Sequence, residues 1–397
     1  MRLIFLLFVC CSFVYGEDQS ETDPDGKYEQ LINAIFVKPT EGTSEVSTSP
    51  SEPPSNSSPH ADCECVPYYL CKDGAIIEDG LGIIDIRIDN PCEFLEHCCG
   101  AGNKTTESII PKPEPHKPGR CGKRNGEGIG FRITGTEDNE TQFGEFPWMV
   151  ALLRMQKNKK TSEKKETYQC GASLIHPQVV LTAAHCVSDK EDTYKIRAGE
   201  WDTHTTYELF PHQDREIKHI IIHPQYYKGG LFYDFALLIL DTPLEITDNV
   251  DVVCLPNKTM ISEKVFCYAT GWGQEVFSGE GKHPAILKKI DLPIVDRESC
   301  QERLRKTRLS TRFKLHDTFI CAGGELGKDT CKGDGGSPLV CPMADEQDRF
   351  YQAGIVSWGI DCGKENIPGV YAHVAKAMDW IDEIMTSHKF DTSVYRY

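Results

Sequence analysis

The 397 residues, 39% of them hydrophobic, suffice to bury one large core and one small one, which excludes a chain disordered throughout. A formal net charge of −17 argues against nucleic acid as a partner, because phosphates demand a basic face. Eighteen cysteines place the chain in an oxidising compartment.

Residues Met1 to Gly16 carry one Arg, an apolar run Leu3 to Val9 and small residues near Gly16, the pattern of a cleaved secretory signal. Cys10 and Cys11 leave with it, and the sixteen remaining cysteines are an even set, enough for eight disulfides. No other stretch offers about 18 uninterrupted apolar residues, so no membrane anchor is expected. Sequons at Asn56, Asn103, Asn139 and Asn257 fit a secreted surface.

Residues 17–62 hold ten Asp or Glu against two Lys and, from Thr40 to Ser58, are rich in Ser, Thr, Glu and Pro; they read as an acidic disordered leader. Leu31 to Val37 is an apolar island within it, either a docking segment or a stretch without a role. Cys63, Cys65, Cys71, Cys92, Cys98 and Cys99 then fall within 63–99, too short a piece to fold on apolar burial alone, so it is expected to be a disulfide knot. Spacing alone leaves its connectivity open. A Pro-, Lys- and Gly-rich linker, 100–132, carries Cys121 alone, which needs a distant partner.

From Ile133 the pattern changes to short runs rich in Val, Ile, Leu and Tyr, such as 148–153, 178–183 and 353–358, separated by turn residues; this predicts an all-β domain. Only the end departs from it, where Val374, Ala375, Met378, Ile381 and Met385 recur at helical spacing and predict one C-terminal amphipathic helix, with 389–397 as a tail.

Three motifs follow in order: Leu181-Thr-Ala-Ala-His185-Cys186, Tyr233-Asp234-Phe-Ala-Leu-Leu238, and Cys331-Lys-Gly-Asp-Gly335-Gly-Ser337-Pro-Leu-Val340. Together they resemble the chymotrypsin-like serine proteases over roughly 133–388. The resemblance implies two six-stranded β-barrels, with His185 as general base and Asp234 as its orienting carboxylate. At the nucleophile position stands Gly335, which has no side chain to acylate. Loss of that serine costs about a million-fold in turnover in such enzymes. Ser337 lies two residues further on, where the family has glycine, and a displacement of about 1 Å already costs on the order of a hundredfold.

By the same resemblance Asp329 is the acidic floor of a trypsin-like primary pocket, with Ser357, Gly359 and Gly369 in its walls; the cleft either still holds a basic side chain or is an inherited relic. The implied disulfides are Cys170 with Cys186, Cys267 with Cys341, Cys300 with Cys321, Cys331 with Cys362, and Cys121 with Cys254. The small knot resembles a clip domain, which implies Cys63 with Cys98, Cys65 with Cys92 and Cys71 with Cys99. Its Tyr68, Tyr69, Leu70, Ile83, Ile84 and Ile86 either fill a small core or line a recognition cleft. A clip domain ahead of a protease-like domain that lacks its serine resembles the arthropod prophenoloxidase-activating factors of the serine protease homologue type.

That resemblance implies a secreted haemolymph protein that is cut by an upstream clip-domain protease, forms homo-oligomers and presents prophenoloxidase or phenoloxidase. Two bonds compete for the cut: Arg87–Ile88 inside the knot, which is preferred, and Arg132–Ile133, the counterpart of the family's activation site, with Asp334 present to receive a freed amine. Glu200, Asp202, Thr205 and Asp214 occupy a segment resembling the fold's calcium loop, so calcium is a candidate ion; an ion-free acidic loop is the alternative. Lys157, Lys159, Lys160, Lys164 and Lys165 form a basic loop, a solvated face unless an acidic partner uses it. Rival readings are an active trypsin-like protease with an unusual nucleophile and a protein that binds microbial surfaces.

Overall fold

The computed structural model describes residues 63–72, 76–78, 81–85, 91–109, 121–135, 139–157, 164–189, 192–257, 265–273, 284–330 and 333–397. The signal, the leader, Asn56, Ile86, the Arg87–Ile88 bond, Lys159, Lys160 and Cys331 lie outside the described residues, and with Cys331 its pairing to Cys362.

The knot is built on β1 (Cys63–Pro67) and β4 (Glu96–Gly100), antiparallel, with β2 (Ile76–Glu78) and β3 (Leu81–Asp85) between them in sequence. Its three bridges are Cys63–Cys98, Cys65–Cys92 and Cys71–Cys99, and Val66, Cys71, Cys99 and Leu70 form its small core. Strand β3 also pairs in parallel with β5 (Phe131–Thr134), so knot and body share one three-stranded sheet. Tyr68, 1% exposed, leaves the knot's own core and packs on Phe131 at 4.5 Å, which stacks on Phe143 at 5.5 Å. Phe94 lies 6.1 Å from Trp201, extending the same aromatic seam. Apolar residues of the knot therefore serve two cores, one of them shared with the body.

Two closed six-stranded barrels follow. The first comprises β6 (Met149–Lys157), β7 (Lys164–His176), β8 (Val179–Thr182), β9 (Thr193–Ala198), β10 (Gln213–Ile222) and β11 (Ala236–Leu240) in the order β10-β11-β8-β7-β6-β9. The second comprises β12 (Phe266–Gly271), β13 (Lys288–Val295), β14 (Phe319–Ala322), β15 (Pro338–Pro342), β16 (Phe350–Trp358) and β17 (Gly369–His373) in the order β12-β13-β14-β17-β16-β15. Strands β8 and β11 are buried at every position, because one face fills a barrel and the other is covered; hence their continuous rather than alternating apolar runs. Between the barrels, fully buried Ser173 of β7 donates to Gln352 of β16 at 2.7 Å, so the junction is polar but satisfied.

The expected C-terminal helix is α2 (Met378–Ser387), burying Met378, Ile381 and Met385. A second helix, α1 (Arg297–Arg305), was not expected: Asp296 caps it by accepting from Ser299 N at 2.9 Å, and only Cys300 and Leu304 are buried, too thin an apolar stripe to read. The tail is part of the body, since Tyr395 is fully buried and its hydroxyl donates to Asp382 at 2.7 Å. Cys121–Cys254, Cys170–Cys186, Cys267–Cys341 and Cys300–Cys321 are bonded as the resemblance implied.

The Arg132–Ile133 bond lies in β5, opposite Ile83 and Ile84 of β3, and Ile133 is 3% exposed. A protease must pull this strand out before it can cut. Gly82→Pro removes the N–H that donates to Gly130 O at 2.9 Å. Tryptic appearance of the Ile133 N-terminus, read by mass spectrometry, is expected to accelerate at least about tenfold in this variant, as a loss of ~1.4 kcal/mol in local stability requires.

Candidate functional site: a triad frame around a glycine

His185 sits in the short turn Ala184–Cys186 that follows β8, anchored by the Cys170–Cys186 bridge. Asp234 precedes β11 and its side chain is fully buried. Three donors converge on that carboxylate: His185 N at 2.9 Å, the His185 ring through Nδ1 at 2.7 Å, and Ser357 Oγ at 2.6 Å. A buried charge so paired is tolerated; an unpaired one is not. The base and its orienting partner are thus brought together as expected. Ser357, read from sequence as a pocket wall, spends its hydroxyl on Asp234, a role that sequence spacing gave no sign of.

Gly335 lies directly under the imidazole. A Cβ on it would stand 2.8 Å from His185 Nε2 and 3.4 Å from Cε1, inside contact distance. The ring has settled into the volume that a nucleophile's side chain would need. Nε2 also lies 3.5 Å from Cys186 Sγ, but that sulfur is bonded to Cys170 and offers no thiolate to a metal. Ser337 is no substitute: fully buried, its Oγ presses on Gly171, where a Cβ would come within 1.9 Å of it, and no hydrogen-bond partner meets it. Gly336 keeps φ at +79°, and a Cβ there would strike Gly171 O at 2.4 Å. Beside it, Asp334 Oδ1 accepts from Gly273 N at 2.8 Å. Ile133, whose freed amine Asp334 was to receive, is held elsewhere in the uncut chain, its N–H donating to Gln142 Oε1 at 2.7 Å.

Asp329 Oδ2 accepts from Gly363 N at 3.2 Å, while buried Oδ1 has no partner. Gly369 flanks it so closely that a Cβ would lie 3.0 Å from Oδ1, and Gly359 opens on free space. Burial pushes the Asp329 carboxyl up to about 6. The floor is an under-satisfied carboxylate of the kind a Lys or Arg side chain completes.

The four predicted calcium ligands are not brought together. Asp214, on β10, is drawn to Lys195 at 2.7 Å and Arg197 at 2.8 Å on β9, and these cations hold its carboxyl down at about 2 against the opposing effect of burial. Thr205 donates its hydroxyl to Asp202 Oδ2 at 2.8 Å. Glu200 pairs with Arg197 and His212, each at 3.2 Å, and its carboxyl hydrogen-bonds that of Glu208. Glu208, absent from the predicted set, accepts from Asp202 N at 3.1 Å, and burial raises the carboxyls of both Glu200 and Glu208. Among the sequons, Asn139 and Asn257 are exposed and Asn103 half-buried.

The comparisons agree with this geometry. The Trypsin family matches residues 135–381, and the family described as Serine protease Clip domain PPAF-2 matches residues 52–100. The chain belongs to the clip-domain serine protease homologues. It is similar to Phenoloxidase-activating factor 2 of Galleria mellonella, 52% identical over 73% of this chain and 98% of the relative. It is 37% identical to Inactive CLIP domain-containing serine protease A8 of Anopheles gambiae, over 80% of this chain and 87% of that one. Phenoloxidase-activating factor 3 of Holotrichia diomphalia is 36% identical over 72% of this chain and 79% of its own.

Two outcomes test the site of this homologue. Gly335→Ser is expected to leave the uncut chain without measurable arginine-ester turnover, since the new Cβ meets the imidazole and Ile133 stays in β5. For Asp329, the folded carboxyl keeps its proton up to about pH 6, whereas an ordinary Asp loses it near 3.8. Its contribution to stability is therefore fully present below about pH 4 and lost as pH rises through 6. Thermal melts should show Asp329→Asn close to wild type at pH 3.5 and more stable at pH 8, by on the order of 1–3 kcal/mol.

Proposed function

We propose that this chain is a secreted, non-catalytic factor of phenoloxidase activation that works by binding. One observation carries the reading: the position of the nucleophile is a glycine whose missing side-chain volume is taken by His185, within a triad frame otherwise intact. The names of its relatives support the pathway, three of them being phenoloxidase-activating factors and three more inactive clip-domain proteases.

In this reading the chain circulates in haemolymph and is cut by an upstream clip-domain protease, at Arg87–Ile88 in preference to Arg132–Ile133. The cut chain self-associates and holds prophenoloxidase or phenoloxidase in a productive state. Asp329 gives the cleft an affinity for a basic side chain without any means to cleave it. Calcium, where bound, would be held by Glu200, Asp202 and Glu208, with Asp214 left to its cations.

Reconstitution of prophenoloxidase with its activating protease, with and without this chain, tests the proposal. Phenoloxidase activity is expected to rise severalfold only when the cut chain is present, and an organophosphate serine probe should leave the chain unlabelled. Stoichiometric labelling, or arginine-ester turnover that follows the chain through purification, would defeat the reading.

A further inference from the structure

A basic stretch of this acidic molecule lies on and beyond α1. Residues 297–314 contain seven Lys or Arg against two Glu, in a chain of net charge −17. Two of the seven are structural: Arg297 donates to Phe319 O and Leu315 O, and Arg305 to Phe313 O at 2.8 Å. The others, Arg303, Lys306, Arg308, Arg312 and Lys314, make no ion pair among the described residues, and all but half-buried Arg303 are exposed. The helix dipole accounts for cations in the last turn of α1, but Lys306, Arg308, Arg312 and Lys314 lie past its end. The two acids of the segment, Glu298 in the first turn and Glu302 beside Arg303, both precede the run of cations that ends it. Arg303 feels Asp296 and Arg308 feels Asp361, but no ion pair neutralises any of the five, and an anionic partner relieves their mutual repulsion.

The chain carries its own anion. Residues 17–29 hold six carboxylates, Glu17, Asp18, Glu21, Asp23, Asp25 and Glu29, against Lys27 alone. The stretch 30–62, which joins them to the knot, spans up to about 110 Å when extended, so length does not prevent contact with any part of the body. The second basic feature, Lys157 to Lys165, is the poorer match, because Glu163 lies within it, whereas 303–314 contains no acid.

We infer that the acidic segment 17–29 docks on the cationic surface formed by Arg303, Lys306, Arg308, Arg312 and Lys314, and that this contact goes beyond the phenoloxidase reading and does not depend on it. Being electrostatic and exposed, the contact weakens with salt.

Zero-length carbodiimide coupling on the full secreted chain, followed by peptide mass spectrometry, tests it by joining touching carboxylates to lysine amines. Links from residues 17–29 to Lys306 and Lys314 are expected at 50 mM salt, falling at least about fivefold at 500 mM. The same fall is expected in the exposed double variant Arg308→Glu/Arg312→Glu, with its melting temperature unchanged. Mixing isotopically light and heavy chains reads whether the links run within one copy or between two, and either result keeps the segment on the patch. Links spread over exposed lysines without preference, concentrated on 157–165, or unaffected by the double variant would overturn the inference. So would retention on a sulfated-glycan column with no link from 17–29 to Lys306 or Lys314, which would assign the patch to a glycan.

Discussion

The buried carboxylate of Asp234 is the constraint on which the rest of the site depends. It has no access to water, so its charge must be met by protein donors. One pair comes from His185 on the first barrel and the third from Ser357 on β16 of the second. A charge satisfied from both sides fixes how the barrels meet, and the Ser173–Gln352 contact adds a neutral bond across the same junction. Removing one partner of such a buried ion costs on the order of 3–5 kcal/mol. The frame is therefore kept by its own electrostatics, whether or not any chemistry follows.

That explains how a triad frame outlives its nucleophile. Catalysis needs the imidazole poised above a hydroxyl, whereas folding needs only that Asp234 be paired. With a glycine at 335 the ring stands where a Cβ would come within 2.8 Å of Nε2, and it keeps Nδ1···Asp234. Elsewhere in the cleft, the buried Asp329 keeps an oxygen without a hydrogen-bond partner, a feature that does not depend on the residue at 335.

How much of this could be read in advance follows from the range over which each feature is encoded. The barrels, the His185 and Asp234 pair and the bonded cysteines were legible because motifs fix them at short range and the family resemblance supplied the pairing. Helix α1 was not, because Cys300 and Leu304 are its only buried residues and its other positions read as a polar loop. The parallel pairing of β3 with β5 joins segments some fifty residues apart, and neither run is long enough to announce itself. The partners of Asp214 were not legible because they are decided across the sheet, where register sets Asp214 against Arg197. The approach of His185 to Gly335 is a relaxation in space, and no linear pattern carries it.

The covalent map has a consequence for any activating cut. Arg87 lies between Cys71 and Cys92, whose bridges run to Cys99 and Cys65, and Arg132 lies between Cys121 and its partner Cys254. Neither cut sheds a fragment. The severed ends stay tethered at a fixed local concentration, so the return of β3 to β5 is a first-order event that dilution cannot oppose. A nicked molecule of this design can therefore move between docked and undocked arrangements reversibly, and only a partner that captures one arrangement makes the change permanent.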